Sequence, residues 1–262
     1  MREIDFIRGF LKENIEYVQK KYTDKAAVTV SAKAHASDLL TEVDLTIQKR
    51  FVDKVKKRFP DDAIVGEEGE FSRFPNDPKA RAWIIDPIDG TYNFIRGLHP
   101  IFGISIAFAH KGENVAGGVV LPITGEFFLA ERGAGSFCNG KRLRVSNVKQ
   151  LNAARIDIDF SDLNDRKLML QRGLDVFRNV GQLRCYGSAV ASICQIATGD
   201  TEGYLHMNLA PWDFAASQLI VEEAGGRSSR LNGSPLRLFD AKQGILITNG
   251  VLHREMLAMI KS

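Results

Sequence analysis

The chain has 262 residues, with 35 Lys plus Arg against 32 Asp plus Glu, a formal charge of +3, 44% apolar residues, 23 Gly and 8 Pro. This is globular composition and excludes disordered, fibrous and low-complexity chains. So mild a charge excess carries no nucleic-acid footprint without a local cluster, and three cysteines, Cys138, Cys185 and Cys194, with no CxxC pair, speak against a disulfide framework or a structural zinc site.

A reducing, cytoplasmic setting fits this cysteine usage. The charged N-terminal turns lack the apolar run of a signal peptide. The longest apolar stretch, residues 101–109, is far shorter than the roughly 20 residues that span a bilayer, so no membrane role is expected.

Ile4, Ile7, Leu11, Ile15, Val18 and Tyr22 recur at three- and four-residue steps and predict an amphipathic opening helix. Val43, Ile47, Phe51, Val55 and Phe59 predict a second, closed by Pro60. Between them Lys54, Lys56, Lys57 and Arg58 form a basic cluster, read as a solvated helix face.

From Ala63 the period shortens. Runs at 63–65, 83–85, 103–110, 115–121, 126–131 and 142–145, with turn segments KGEN, PITGE and GAGSFCNG between some of them, read as an antiparallel meander. After about Val148 strands (155–160, 182–186, 203–207, 244–248) alternate with helices (165–178, 189–198, 212–224 and a C-terminal one), which argues an α/β layer with parallel pairings. The expected organisation is an α+β unit over 1–148 and an α/β unit over 149–262.

The chemistry concentrates in WIIDPIDGTYNF at 83–94, where Asp86 and Asp89 stand three residues apart at the end of a β-branched run. Pro87 forces Asp86 toward extended backbone. Gly90 permits close approach of a ligand, and Thr91 offers a hydroxyl and an N–H at a helix start. Oxygen ligands of this kind select hard cations such as Mg²⁺. Two further acidic elements, Gly66-Glu67-Glu68-Gly69 and Pro211-Trp212-Asp213, could converge on the same cleft. Taken singly, each has an ordinary reading as surface charge, a turn or a helix cap.

In this order the three motifs, GEE at 66–68, WIIDPIDGTYNF at 83–94 and PWDFAASQLIVEEAGG at 211–226, resemble the inositol monophosphatase family of Mg²⁺-dependent, lithium-sensitive phosphatases. FCNGKRLRVS at 137–146 extends the resemblance, which covers nearly the whole chain. It implies alternating layers of helices and sheets of the inositol monophosphatase and fructose-1,6-bisphosphatase type, commonly a homodimer, with the site between the two halves. It also implies two to three Mg²⁺ ions per site. Glu67, Asp86 and the Ile88 carbonyl correspond to ligands of the first ion, and Asp86, Asp89 and Asp213 to ligands of the second. In some members a third ion also leans on Glu67.

By the same resemblance Gly90 and Thr91 present N–H groups to the phosphate, Thr91 and Asp44 orient the attacking water, and Glu68 holds a further water. Lys33 corresponds to a lysine on a segment that closes over the site. Four carboxylates packed together repel strongly without cations, so the set makes sense as a metal cage. Direct attack by water, with no covalent protein nucleophile, is the implied mechanism.

Four positions depart from the family pattern. The glutamate expected to receive substrate hydroxyls, seven residues before Asp213, is His206; the usual His-Cys before the Trp-Asp pair is Ala210-Pro211; and a usual glycine is Ser217. His206 has two readings, contact with a different alcohol or acid, and plain packing. The three cysteines read as small buried hydrophobes, and His35, His99, His110 and His253 as structural or exposed. The leading expectation is a phosphomonoesterase for a small polyol or sugar phosphate, inositol 1-phosphate by default. Fructose 1,6-bisphosphate and histidinol phosphate are the alternative substrates, whereas a 3′-phosphoadenosine 5′-phosphate nucleotidase is disfavoured by the chain's length. An RNA- or protein-binding role on the same fold is the reading from another class.

Overall fold

The computed structural model describes residues 2–24, 28–32, 39–97 and 99–260. In its first part the elements are α1 (Glu3–Thr23), β1 (Val30–Ala32), β2 (Leu39–Thr41), α2 (Glu42–Arg58), β3 (Ala63–Gly66), β4 (Arg81–Asp89), α3 (Thr91–Arg96), β5 (Gly103–His110), β6 (Glu113–Leu121), β7 (Glu126–Glu131), β8 (Gly135–Cys138) and β9 (Lys141–Arg142). There follow β10 (Arg155–Ile158), α4 (Leu163–Arg172), α5 (Leu174–Asn179), β11 (Gln182–Arg184), α6 (Ala189–Thr198), β12 (Gly203–Leu209), α7 (Pro211–Glu223), β13 (Arg227–Arg230), β14 (Gln243–Thr248) and α8 (His253–Met259).

Strand pleating sorts these side chains into layers, because successive residues point to opposite faces. Strands β3 to β9 pair in sequence order into one seven-stranded sheet. On one of its faces Trp83, Ile85, Ile104, Ile106 and Phe108 pack with Ile7, Leu11, Ile47 and Phe51 of α1 and α2. On the other, Ile84, Ala107, Ala109 and Val119 pack with Ile193 of α6 and with Phe214, Leu219 and Ile220 of α7. The second sheet, ordered β11-β10-β12-β14-β13, covers the far side of α6 and α7 with Tyr204, Ile245 and Ile247. Leu205 and Leu246, the intervening residues, point outward onto Met169 of α4, Val176 of α5 and Met256 of α8. Five layers result, helices and sheets alternating, as the resemblance implies.

Helix α7 is the middle of the sandwich, with Pro211, Phe214 to Val221 all buried. A helix apolar around its circumference belongs in an interior layer, and this placement carries Asp213, in its first turn, to the ends of strands from both sheets.

Several sequence expectations are corrected. Strands β3 and β4 run parallel, because residues 67–80 make a crossover and not a hairpin; only β4 through β9 form the antiparallel meander. The second sheet is mixed: β10 is parallel to β11 and β12, while β14 is antiparallel to β12 and β13. GAGSFCNG contains strand β8 and is not simply a turn. The 165–178 helix is two helices broken at Gly173, and Arg227–Arg230 is a strand without an apolar pattern. The basic residues Lys54, Lys56, Lys57 and Arg58 are exposed on α2, as expected. Among the described residues no helix is long and apolar enough to cross a membrane.

Candidate metal and phosphate site

The WIIDPIDG segment is strand β4 running into α3, and the turn between them aims its carboxylates. Asp86 Oδ1 accepts the Ile88 N–H at 3.0 Å, two residues on, a local bond that Pro87 favours by holding the backbone extended. The register of β4 against β5 breaks between Asp86 and Asp89, and this irregularity re-aims the strand's last side chains. Gly90 then turns the chain with φ of +83°. A Cβ there would sit 3.0 Å from Ser188 Cβ and 3.2 Å from the carbonyls of Gly187 and Ile101. Both conformation and space therefore demand glycine.

Asp89 reaches across to the second sheet's helices. Its Oδ2 accepts the Val190 N–H at 3.2 Å and a short hydrogen bond from Ser188 Oγ, the N-cap of α6. Asp213 folds back on its own helix start, Oδ2 accepting the Ala210 N–H at 2.9 Å. The ligand atoms of Asp86, Asp89 and Asp213 all lie within 4.8 Å of one another. Glu67 lines the same cavity of about 640 Å³, together with Gly90 and Thr91.

These carboxyls hold their protons more tightly than ordinary ones. Burial, then repulsion by Glu67, Asp89 and Asp213, pushes Asp86 well above the usual carboxylate range. Burial and the charges of Glu67 and Asp89 do the same to Asp213. Burial pushes Asp89 up to about 7 against the pull of its Ser188 and Val190 hydrogen bonds. So many acidic oxygens, with Lys242 the cation that bears on Asp213, fit a hard divalent ion: it supplies the charge that makes full ionisation favourable.

The remaining sequence candidates fall around this centre. Asp44 is buried at the start of α2, where Thr41 makes a capping box: Thr41 N–H and Oγ donate to Asp44 Oδ2, and Thr41 Oγ accepts from the N–H groups of Val43 at 3.1 Å and Asp44 at 3.3 Å. Burial pushes Asp44 up to about 7, and its Oδ1 is buried with no hydrogen-bond partner. Thr41→Ala removes this cap and should cost about 1–2 kcal/mol of stability, read as a lower urea midpoint.

Thr91 Oγ donates to the Ile88 carbonyl at 2.9 Å, leaving its lone pairs free to accept. Glu68 is buried, with its backbone clasped by Gln48: Gln48 Nε2 donates to the Glu68 carbonyl at 2.7 Å and Gln48 Oε1 accepts the Glu68 N–H at 3.0 Å. At Gly66, just before, a Cβ would come within 2.6 Å of Gln48 Oε1. His206 and Lys242 line the cavity with Trp212, whose ring stacks on Phe74 at 6.2 Å. Lys33 and His35 lie outside the described residues.

Sequence reasoning missed several contributors. Ser188 carried the signal of a serine before a predicted helix, and Asp159, which lines the cavity, that of an acid at a predicted strand end. Gln48, interior to a helix, gave none. Of the cysteines only Cys194 is buried; Cys138 is partly buried and Cys185 exposed, its thiol donating to Asp159 Oδ1 at 3.6 Å. Ser217 packs inside α7 with its hydroxyl on the Phe214 carbonyl. His253 is buried between Ser229 Oγ at 2.9 Å and Thr248 Oγ at 3.1 Å, a structural position.

The chain is 34% identical over 231 residues to a fructose-1,6-bisphosphatase/inositol-1-monophosphatase of Thermotoga maritima, covering 88% of this chain and 86% of that one. It is 39% identical over 203 residues to a protein of Pseudomonas aeruginosa named Nus factor SuhB, covering 76% and 74%. Among solved structures, an inositol monophosphatase of Thermotoga maritima superposes with a TM-score of 0.85 at 32% identity, over 99% of this chain and 96% of that one. The profile described as the inositol monophosphatase family matches residues 3–262, and the chain belongs to that family.

Proposed function

We propose that the protein is a Mg²⁺-dependent, lithium-sensitive phosphomonoesterase that hydrolyses a small polyol or sugar phosphate, with inositol 1-phosphate the default. The convergence of Asp86, Asp89 and Asp213 within 4.8 Å carries this reading. In it Glu67, Asp86, Asp89, Asp213 and the Ile88 carbonyl hold two to three Mg²⁺. When bound, the ions neutralise the phosphate oxygens, lower the pKa of water and stabilise a leaving alkoxide.

The chain's own groups do the positioning. The N–H groups of Gly90 and Thr91 hold the phosphate at the start of α3. Asp44 and Thr91 orient the attacking water, Asp44 by the oxygen left over from its cap and Thr91 by the lone pairs left over from its bond to Ile88. Glu68 holds a second water beside the carboxylates. His206, and Lys33 on the segment expected to close over the site, face the substrate. We divide the chain at about residue 148 and take the active form as a cytoplasmic homodimer.

Phosphate release from inositol 1-phosphate, fructose 1,6-bisphosphate and histidinol phosphate, with Mg²⁺ and with EDTA, tests the reading. Mg²⁺-dependent turnover of one of them, inhibited by Li⁺, is expected; absence of any Mg²⁺-dependent release would refute it. The relative named Nus factor SuhB favours a second reading, a protein or RNA partner bound on the same fold, with the exposed Lys54, Lys56, Lys57 and Arg58 face of α2 as its surface. Binding to single-stranded RNA that weakens steeply with salt would support it.

A further inference from the structure

Helix α2 carries Asp44 and Gln48 one turn apart, and residues four apart lie on the same face of a helix. That face looks toward the Glu67–Glu68 segment: the charges of Glu67 and Glu68 bear on Asp44, and Gln48 bonds to Glu68. In the proposed chemistry only Asp44 has a part.

Gln48 is 6% exposed, and what it holds is backbone. Strand β3 is an edge of the seven-stranded sheet, and its pairing with β4 ends where Gly66 faces Ile85. The chain stays extended at Glu68, with φ of −98° and ψ of 132°, before Gly69 turns it at φ of +64°. Glu67 and Glu68 thus overhang the last strand pair. Gln48 Nε2 donates to the Glu68 carbonyl at 2.7 Å and Gln48 Oε1 accepts the Glu68 N–H at 3.0 Å. One side-chain amide therefore closes the two bonds that a residue of a neighbouring antiparallel strand would close. The fit is tight, since a Cβ on Gly66 would come within 2.6 Å of Oε1 and displace the amide.

With both backbone groups of Glu68 fixed, the residue before it is aimed as well, because successive side chains in extended backbone point to opposite faces. Glu68 is buried, and Glu67 lines the cavity of the carboxylates. Glutamine suits the task. A carboxylate in its place would offer no donor to the Glu68 carbonyl and would add charge beside Glu67, Glu68 and Asp44.

We propose that Gln48 is a positioning residue for the metal centre, holding the 67–68 backbone so that the Glu67 carboxylate stands in place for the cation. It acts on metal affinity without touching the metal. The proposal rests on the reading of Glu67 as a Mg²⁺ ligand.

The test follows the melting temperature of the full chain across a Mg²⁺ series, which reports the metal without turnover. Gln48→Met keeps the volume and loses both bonds; its half-saturating Mg²⁺ concentration should rise about tenfold or more, and phosphate release should recover toward the wild-type rate at saturating Mg²⁺. Glu67→Gln should raise the half-saturating concentration too. The double variant should be no weaker than Glu67→Gln alone, because the amide then has no charged ligand to place. A merely structural role would lower the melting temperature in EDTA and leave the Mg²⁺ midpoint unmoved, or add in full to Glu67→Gln; either result overturns the proposal. If Gln48→Met does not fold, Gly66→Ala, whose Cβ displaces the amide from the other side, decides in its place. A midpoint unmoved by Glu67→Gln removes Glu67 from the metal centre and this proposal with it. A midpoint moved by Glu67→Gln but not by Gln48→Met removes this proposal alone.

Discussion

Replacing Asp89 by asparagine should cut Mg²⁺-dependent phosphate release by roughly 1,000-fold, about 4 kcal/mol of transition-state stabilisation, while making the metal-free protein harder to melt. The two effects have one cause. Asn fits the site, because its amide oxygen can still accept from Ser188 Oγ and Val190 N–H. What it removes is a charge packed with Asp86, Asp213 and Glu67. Without cations that charge is destabilising, and its loss should raise the melting temperature by about 2–4 °C for each kcal/mol of repulsion relieved. With Mg²⁺ the order reverses, since an ion bound only by the folded state stabilises by mass action, and a weakened cage gains less. Melting curves in EDTA and across a Mg²⁺ series check both halves; a variant that responds to Mg²⁺ as steeply as the wild type would take Asp89 out of the cage.

Stability of the metal-free protein is expected to fall as pH rises from about 4 to 7, opposite to the trend of a protein held by salt-bridged carboxylates. Burial pushes Asp44, Asp89 and Asp157 each up to about 7, whereas an aspartate in the unfolded chain titrates near about 3.9. Between those values the folded state holds protons that the unfolded state has released; His206 and His253, lowered by burial to about 3 and about 4, work the other way below about pH 6.5, but the raised carboxyls, Asp86 and Asp213 included, outnumber them, so unfolding becomes easier as pH rises. The favourable contribution is complete below about pH 4 and gone above the folded values. One pKa unit corresponds to about 1.4 kcal/mol, so the summed loss is on the order of several kcal/mol. Urea midpoints in EDTA from about pH 5 to about pH 8 should decline, and Mg²⁺ should flatten the decline by restoring the charge balance around Asp89. A midpoint that climbs over this window would mean that these carboxyls meet cationic or hydrogen-bonding partners that hold them ionised.

What could be read from the sequence follows from the range of the interactions involved. Helices α1 and α2 and strand β4 announce themselves because a single face of each is buried, and a periodic pattern records that. Asp86, Asp89 and Gly90 were legible because the turn that aims them is local. Asp213 came through the motif around it, and its meeting with Asp86 depends on α7 crossing between two sheets, a fact no spacing encodes. Strand β13, with the sequence RSSR, was missed because its place comes from backbone pairing with β14 and not from apolar side chains. Strand β8 hid inside a glycine-rich segment that looks like a turn. The parallel pairing of β3 with β4 went unseen because a crossover and a long hairpin loop look alike until their ends are located. Asp159 beside His206 is a matter of strand register, which needs the sheet itself.

The central position of α7 also bears on how the chain is made. Strand β8 ends at Cys138, while α7, which covers the sheet's inner face, begins only at Pro211. At ~5–20 residues per second during synthesis, several seconds separate the emergence of that face from the arrival of its cover. During that interval Ile84, Ala107 and Val119 stand without the helix they pack against. The nascent N-terminal half then carries an uncovered apolar face, the kind of surface that aggregates, and a pause in translation between β9 and α7 would lengthen its exposure.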